Sequence, residues 1–339
     1  MWSQYLAARL AATTLTCFDV ESNLRTAAFL GRLMHRFDRR HRVRAARHLS
    51  LAFGELSQAR RDALCLRSFE HFAQLVVEVC HTTRLIHEDS WSRHFTFRNL
   101  GPVLKLLNAG GPVILVTGHV GNWEIMGYLT AVLGYPVHAL FRPLDNHLLN
   151  GWLVDMRRRR GLHLITKWNA TDHMRQVLDE GGALGFIADQ NAGDKGLFVP
   201  FFSCLASTYK SIGLLAMSAQ VPIVCGYAHR LDGGYRFELG MQDVITPDQW
   251  ADEPDPLYYV TARYMRAIEH MVRRRPEQYL WSHRRWRSRP RHEHRGRPMP
   301  GSLQRKLEQL PWIGPPDIQR LREPPAWLGA DRAAARRPR

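Results

Sequence analysis

The stretch Val113-Ile-Leu-Val-Thr-Gly-His-Val-Gly-Asn-Trp-Glu124 decides how the chain is read, because an apolar, β-branched run stops at glycine and delivers a histidine and a carboxylate. Val113 to Val116 predicts a buried strand, Gly118 and Gly121 let the backbone turn tightly, and Asn122 is placed to cap a helix beginning near Trp123. His119 falls in that turn. Glu124 follows in the first helical turn, close enough to orient or charge-pair the imidazole if the turn folds back. A histidine titrating near neutrality and held in one tautomer by a carboxylate suits a general base acting on a hydroxyl. The blander reading is that Glu124 is favoured there by the helix dipole alone, with His119 an ordinary loop residue.

Outward from this stretch, apolar runs alternate with amphipathic ones from residue 112 onward, the pattern of an α/β layer structure. Strands are expected at 113–117, 137–141, 162–166, 183–188, 222–228 and 235–239, and helices at about 122–133, 147–160, 170–180, 208–219 and 256–275. The last two strands are separated only by Arg230-Leu-Asp-Gly-Gly234, a hairpin-like connection, so the sheet is expected to be mixed and flanked by helices. Ligand sites in such sheets gather at the carboxyl ends of strands, and His119, Arg142 and Asp189 each follow one. Residues 19–96 read as helical, with Phe69, Phe72, Leu75, Val76 and Val79 recurring at spacings of three and four. The expected organisation is an N-terminal helical region over 1–98, an α/β core over 99–286 and a basic, flexible tail over 287–339. The segment from His283 to Arg297, which leads into that tail, contains seven arginines and reads as solvated, as do His35, His41 and His48 on a basic face.

The 339 residues carry a formal charge of +16, which points to an anionic partner: nucleic acid, acidic lipid headgroups or an acidic carrier protein. No helix-turn-helix, RNP or finger signature accompanies the charge, so a nucleic-acid-binding protein is the weaker alternative. Five cysteines, Cys17, Cys65, Cys80, Cys204 and Cys225, are widely spaced, which argues against a zinc ribbon or a disulfide scaffold and for a reducing compartment. No stretch reaches the roughly 18–20 apolar residues that span a bilayer. Leu6, Leu10, Thr14 and Phe18 fall at helical spacing, so residues 2–18 suit either a helix lying in the membrane interface or one packed on the protein's own core.

Gly-His-Val-Gly-Asn-Trp-Glu124 resembles the first motif of the lysophospholipid acyltransferase superfamily, and its Gly-Asn-Trp-Glu form is most similar to the bacterial lipid A late acyltransferases. The segment Arg44-Ala-Ala-Arg-His-Leu-Ser-Leu-Ala-Phe-Gly-Glu-Leu-Ser57 resembles the region before the catalytic motif in those enzymes. Arg142-Pro-Leu-Asp-Asn146 and the tract Arg157-Arg-Arg-Arg-Gly161 are similar to a family segment in which arginines serve the acceptor, with Arg157 the best match within the tract. Arginine's planar fork suits phosphate, although a run of four at a helix end also answers the helix dipole. Asp189-Gln190 followed by Gly196-Leu-Phe-Val-Pro-Phe-Phe202 is another similar block, which makes Asp189 and Gln190 candidates for positioning the acceptor or an arginine. Phe198, Phe201 and Phe202 suit an acyl groove or ordinary core packing equally. Ala219-Gln-Val-Pro-Ile-Val224 resembles the superfamily's last motif and supports the site without chemistry of its own.

The resemblance implies transfer of a fatty acyl group from acyl carrier protein or acyl-CoA to a hydroxyl of a lipid A precursor, at the cytoplasmic face of the bacterial inner membrane. It implies no metal and no cofactor. In that reading His119 is the base, Glu124 fixes its tautomer, and the Arg142 and Arg157 regions hold phosphates of an anionic glycolipid. Other acceptors, such as a phosphatidylinositol mannoside or an ornithine lipid, fit the same site.

Overall fold

Four helices precede the sheet: α1 (Trp2–Thr16), α2 (Val20–Phe37), α3 (Arg39–Ala52) and α4 (Gln58–Leu85). The computed structural model describes residues 1–141, 143–158, 162–166, 170–232 and 234–323. Local chemistry starts the helices where the chain turns. The side chains of Asp19, Asp38 and Ser57 accept the backbone N–H of Ser22, His41 and Arg60, which satisfies donors that a helix start leaves orphaned. Helix α2 lies close on α4 because Gly31 has no Cβ; one built there would stand 2.5 Å from the Cα of Glu70.

The rest of the chain alternates: β1 (Phe95–Arg98), α5 (Gly101–Asn108), β2 (Val113–Thr117), α6 (Trp123–Val132), β3 (Val137–Phe141), α7 (His147–Arg158), β4 (Leu162–Thr166), α8 (Ala170–Asp179), β5 (Ala183–Ile187), β6 (Leu197–Phe201), β7 (Cys204–Thr208), α9 (Ser211–Ala219), β8 (Ile223–Arg230), β9 (Phe237–Ile245) and α10 (Pro256–Arg274). Seven strands form one sheet in the order β1-β9-β8-β2-β5-β3-β4, while β6 and β7 pair separately as an antiparallel hairpin. Within the large sheet the described pairs are parallel except β8 with β9, so the mixed α/β sheet expected from the short 230–234 connection is what forms. Strand β2 is central because Val113, Ile114 and Val116 are apolar on both faces and bury completely or nearly so.

Strands β1, β6 and β7 and helix α5 were not legible. Strand β1 lies where helix was expected to run to residue 96, and its four residues find their place only by pairing Phe95 with Phe237. The β6–β7 hairpin holds the Phe-rich segment. Phe201 and Phe202 are buried there, against Trp286 and against Trp281 and Phe53, so these two serve core packing, while Phe198 is half-buried.

The expectation of a flexible tail over 287–339 is corrected for residues 287–323, while 324–339 lie outside the described residues. Helices α11 (Arg291–His294), α12 (Gly301–Glu308) and α13 (Pro315–Arg322) follow one another across the core, and Leu307, Leu310, Ile318 and Leu321 join the main apolar cluster. Arg285 and Arg289 are buried with partners. Arg285 donates to the carbonyl of Ser207 and the hydroxyl of Thr208, while Arg289 donates to the carbonyl of Leu205 and forks onto Glu293. A count of charges misled here because backbone carbonyls of the hairpin supply the compensation that buried guanidinium groups need. His48 is likewise buried, hydrogen-bonded to the carbonyl of Trp281, and burial brings its pKa down to about 4.

Helix α1 has no buried residue, and Trp2, Leu6, Leu10 and Phe18 at or beside it are exposed. Leu30, Met34 and Phe37 leave a second exposed apolar stripe along α2. All five cysteines are free thiols, three of them buried.

Candidate active site

The site is built where β2 and β5 end side by side. Their parallel register aligns Val113 with Ala183 and continues to Thr117 with Ile187. The ladder runs one step further, through the Ala188 N–H donating to the carbonyl of Thr117. Two residues beyond Thr117 is His119, and two beyond Ile187 is Asp189. The same offset therefore brings them together: Nδ1 of His119 lies 2.7 Å from Oδ1 of Asp189, and the His119 backbone N–H donates to Oδ2 at 3.0 Å. Asp189 is fully buried and His119 nearly so, with 12% of its side chain accessible.

Glycines make the approach possible. A Cβ on Gly118 would meet Ile268 at 2.7 Å and the Asp189 carboxyl at 3.4 Å. Gly121 has φ +62°, and a Cβ there would stand 2.1 Å from the carbonyl oxygen of Ala228. That closeness lets the turn hydrogen-bond into the end of β8, with the Asn122 N–H on the carbonyl of Ala228 and the Gly121 N–H on that of Gln278. The side-chain oxygen of Asn122 then caps α6 by accepting the Ile125 N–H, as expected from the sequence.

Electrostatics follow from this burial. Desolvation works against protonating His119, but the Asp189 charge and hydrogen bond outweigh it and hold the histidine pKa above its ordinary value. Burial likewise opposes ionising Asp189, yet the facing imidazole and its hydrogen bonds pull that carboxyl below the usual range. With Nδ1–H donating to Asp189, Nε2 of the neutral ring is the acceptor, and the Gln190 amide nitrogen lies 3.5 Å from it. Trp123 packs edge-on against the imidazole, with ring centres 4.9 Å apart.

The expected partnership of His119 with Glu124 gives way to this one. Glu124, at the start of α6, points to α7 and takes Arg157 in a forked pair, Nε to Oε2 at 3.2 Å and Nη2 to Oε1 at 2.5 Å. Only its longer-range field reaches His119, in the direction that favours protonation. The structure thus brings together His119, Asp189 and Gln190 on one side and Glu124 with Arg157 on the other. Arg142 lies outside the described residues.

Sequence reading missed the support beneath the turn. Glu78 of α4 is completely buried, accepts from the Asn122 side chain at 2.8 Å and pairs with Arg230, whose guanidinium also reaches Gln74. Its signal was available: Glu78 falls at helical spacing with buried His71, Leu75 and Thr82, so a charge interrupts an inward-facing stripe. Arg285 was missed as well. It holds the Gln190 carbonyl at 3.3 Å beside the hairpin. Among the described residues no group of three or more His, Cys, Asp or Glu could hold a metal ion.

A model of the family described as bacterial lipid A biosynthesis acyltransferase matches residues 2–288. The chain belongs to that family. A lipid A biosynthesis palmitoleoyltransferase of Escherichia coli (strain K12) is 28% identical over 267 residues, covering 77% of this chain and 83% of its own. The lauroyltransferase of the same strain is 25% identical, with 77% and 84% covered, and its myristoyltransferase is 26% identical, with 75% and 77% covered. No described helix is long and apolar enough to cross a membrane.

Proposed function

We propose that the protein transfers a fatty acyl group from an acyl thioester, carried on acyl carrier protein or coenzyme A, to a hydroxyl of a lipid A precursor. The observation that carries this reading is the His119–Asp189 pair, with Nδ1 engaged at 2.7 Å by a fully buried carboxylate. Nε2 of His119 takes the hydroxyl proton as the oxygen attacks the thioester carbonyl. Asp189 stabilises the imidazolium so formed. The carbon–sulfur bond then breaks, and the proton passes from Nε2 to the departing thiolate, leaving an ester and a free thiol. No covalent acyl-enzyme is needed.

Arg157, held in orientation by Glu124, contacts a phosphate of the acceptor in this scheme; the forked ion pair fixes the guanidinium that a flexible arginine would otherwise have to order. The +16 chain speeds docking of an acidic carrier. The exposed apolar side chains of α1 and α2 rest in the interface of the inner membrane, which gives a peripheral enzyme access to a lipid acceptor.

The test is direct. Purified protein with acyl carrier thioester and a lipid A precursor in detergent should yield, by mass spectrometry, an acceptor heavier by one acyl chain through an ester sensitive to mild base. Acyl transfer to a phosphatidylinositol mannoside but not to the lipid A precursor would replace the acceptor and keep the mechanism.

A further inference from the structure

A second cluster of cations lies beside the site, supplied by elements other than α6 and α7. A pocket of about 510 Å³ opens between the N-terminal helices and the segment after Leu280, lined by Arg44, Arg284 and Arg287 together with Met34, Phe69 and Phe72. Its size is that of a ligand site. Asp38 is the carboxylate in its lining, and it is already engaged by His41, Nδ1 to Oδ2 at 2.6 Å with the His41 N–H on Oδ1 at 3.1 Å. Arg44 is fixed by donating to the carbonyl of Ser282 at 2.9 Å. Among the described residues no carboxylate stands within ion-pair distance of Arg284, which is half-buried, or of Arg287, which is exposed to solvent.

The pocket is joined to His119 twice. The Leu280 N–H donates to the carbonyl of His119 at 3.1 Å, and Leu280 lines the pocket. The ring of His283, also in the lining, lies nearly parallel to that of His119 with centres 5.9 Å apart. Nδ1 of His283 is buried with no hydrogen-bond partner. Met34 belongs to the exposed apolar stripe of α2, so the apolar wall continues outward to the surface. The guanidinium groups of Arg284 and Arg287, with no carboxylate beside them, in a pocket that also has aromatic and aliphatic lining match one ligand chemistry, a phosphate attached to an apolar chain.

We infer that this pocket is a phosphate-binding subsite that seats one of the two substrates by its phosphate, next to His119 and apart from Arg157. Which substrate supplies the phosphate rests on the acyl-transfer reading: a phosphorylated lipid acceptor or the phosphodiester of the donor's pantetheine arm. The preference for phosphate does not depend on that reading.

The experiment compares the full-length protein with R284Q/R287Q and with R284K/R287K. Calorimetric titration uses octyl phosphate below its critical micelle concentration, with octyl glucoside as the neutral counterpart. The wild type should bind the phosphate at least tenfold more tightly than the glucoside; R284Q/R287Q should lose that margin at an unchanged melting temperature, and the lysine variant should recover part of it. Each charge-assisted contact is expected to be worth about tenfold. Kinetics then separate the sources. A raised KM for the phosphorylated acceptor alone assigns the phosphate to the acceptor, and a raised KM for the acyl carrier thioester, with none for acyl-pantetheine lacking phosphate, assigns it to the donor. Equal binding of the two octyl probes by the wild type, or an unaltered margin in the folded R284Q/R287Q protein, overturns the subsite. Selective binding of octyl phosphate with no acyl transfer to any lipid A precursor keeps the subsite and removes the acyl-transfer reading instead.

Discussion

Two carboxylates stand near His119 and do different things. Asp189, 70 residues away in sequence, is fully buried and touches the imidazole at 2.7 Å. Glu124, within the same turn, keeps 17% of its side chain accessible and turns to Arg157. The difference is one of scaffolding. A strand end in parallel register holds its neighbour's strand end at fixed spacing, while a first-turn helix residue points away from the turn that precedes it and finds partners on the next helix. Proximity along the chain is thus a poor guide to which acid serves which base.

The comparison breaks most severely at the histidine itself. His119→Ala should lower acyl transfer by about 10³-fold, the scale of a lost general base. It should also cost about 3–5 kcal/mol of stability, because Asp189 is left as an uncompensated buried charge. The double variant H119A/D189N should regain most of the melting temperature and none of the activity. Recovery of both together would make the pair structural.

Asp189→Asn should reduce turnover about 10²-fold at neutral pH and also move the pH profile. If His119 acts as the proposed base, activity of the wild type should rise with pH in one step above 6.5, because the histidine must lose its proton and its pKa is raised. Without the Asp189 charge, burial is the dominant influence left, so the step should move to lower pH while the plateau falls. A step that stays in place would mean that Asp189 does not set the histidine's charge.

Glu124→Gln and Arg157→Ala should each raise the acceptor's KM about tenfold, with the double variant little worse than either, as expected for residues acting as one unit. Their coupling in stability should be about 1 kcal/mol, since the pair is partly accessible. A loss in kcat equal to that of His119→Ala would restore Glu124 to the proton-transfer step.

The smallest effect is in stability against pH. The raised His119 pKa contributes stability that is complete below 6.5 and lost as pH rises through the folded value, while the lowered Asp189 pKa contributes stability present above 3.8 and lost as pH falls through its own folded value. The wild type should therefore exceed H119A/D189N most between these limits in chemical denaturation followed across pH. A flat difference would deny the coupling.

Much of this architecture is local and so is visible in the chain. The β-branched run at 113–117, the glycines after it and the cap at Asn122 specify a strand, a turn and a helix without reference to anything distant, and His119 sits in that turn by sequence alone. Helices α7, α8 and α10 begin at the residues expected because amphipathic periodicity is a property of the segment. Family motifs singled out Asp189 and Arg157 as residues of interest but did not show that Asp189 meets His119 or that Arg157 meets Glu124. Strand β1 is too short for its alternation to register, and its identity depends on Phe237. The arginines at 285 and 289 read as solvated because their compensating carbonyls, at Ser207 and Leu205, belong to a hairpin far away in sequence.

The sequence by itself determined most strands and helices between residues 113 and 275, their order, the mixed sheet and the position of His119, since each follows from spacings within a few residues or from a connection too short to cross the sheet. Tertiary structure alone decided that His119 leans on Asp189, that Glu124 holds Arg157, and that the basic segment to residue 323 packs inward. Those facts depend on register between strands and on carbonyls offered by distant loops, and both are set only when the apolar faces have packed.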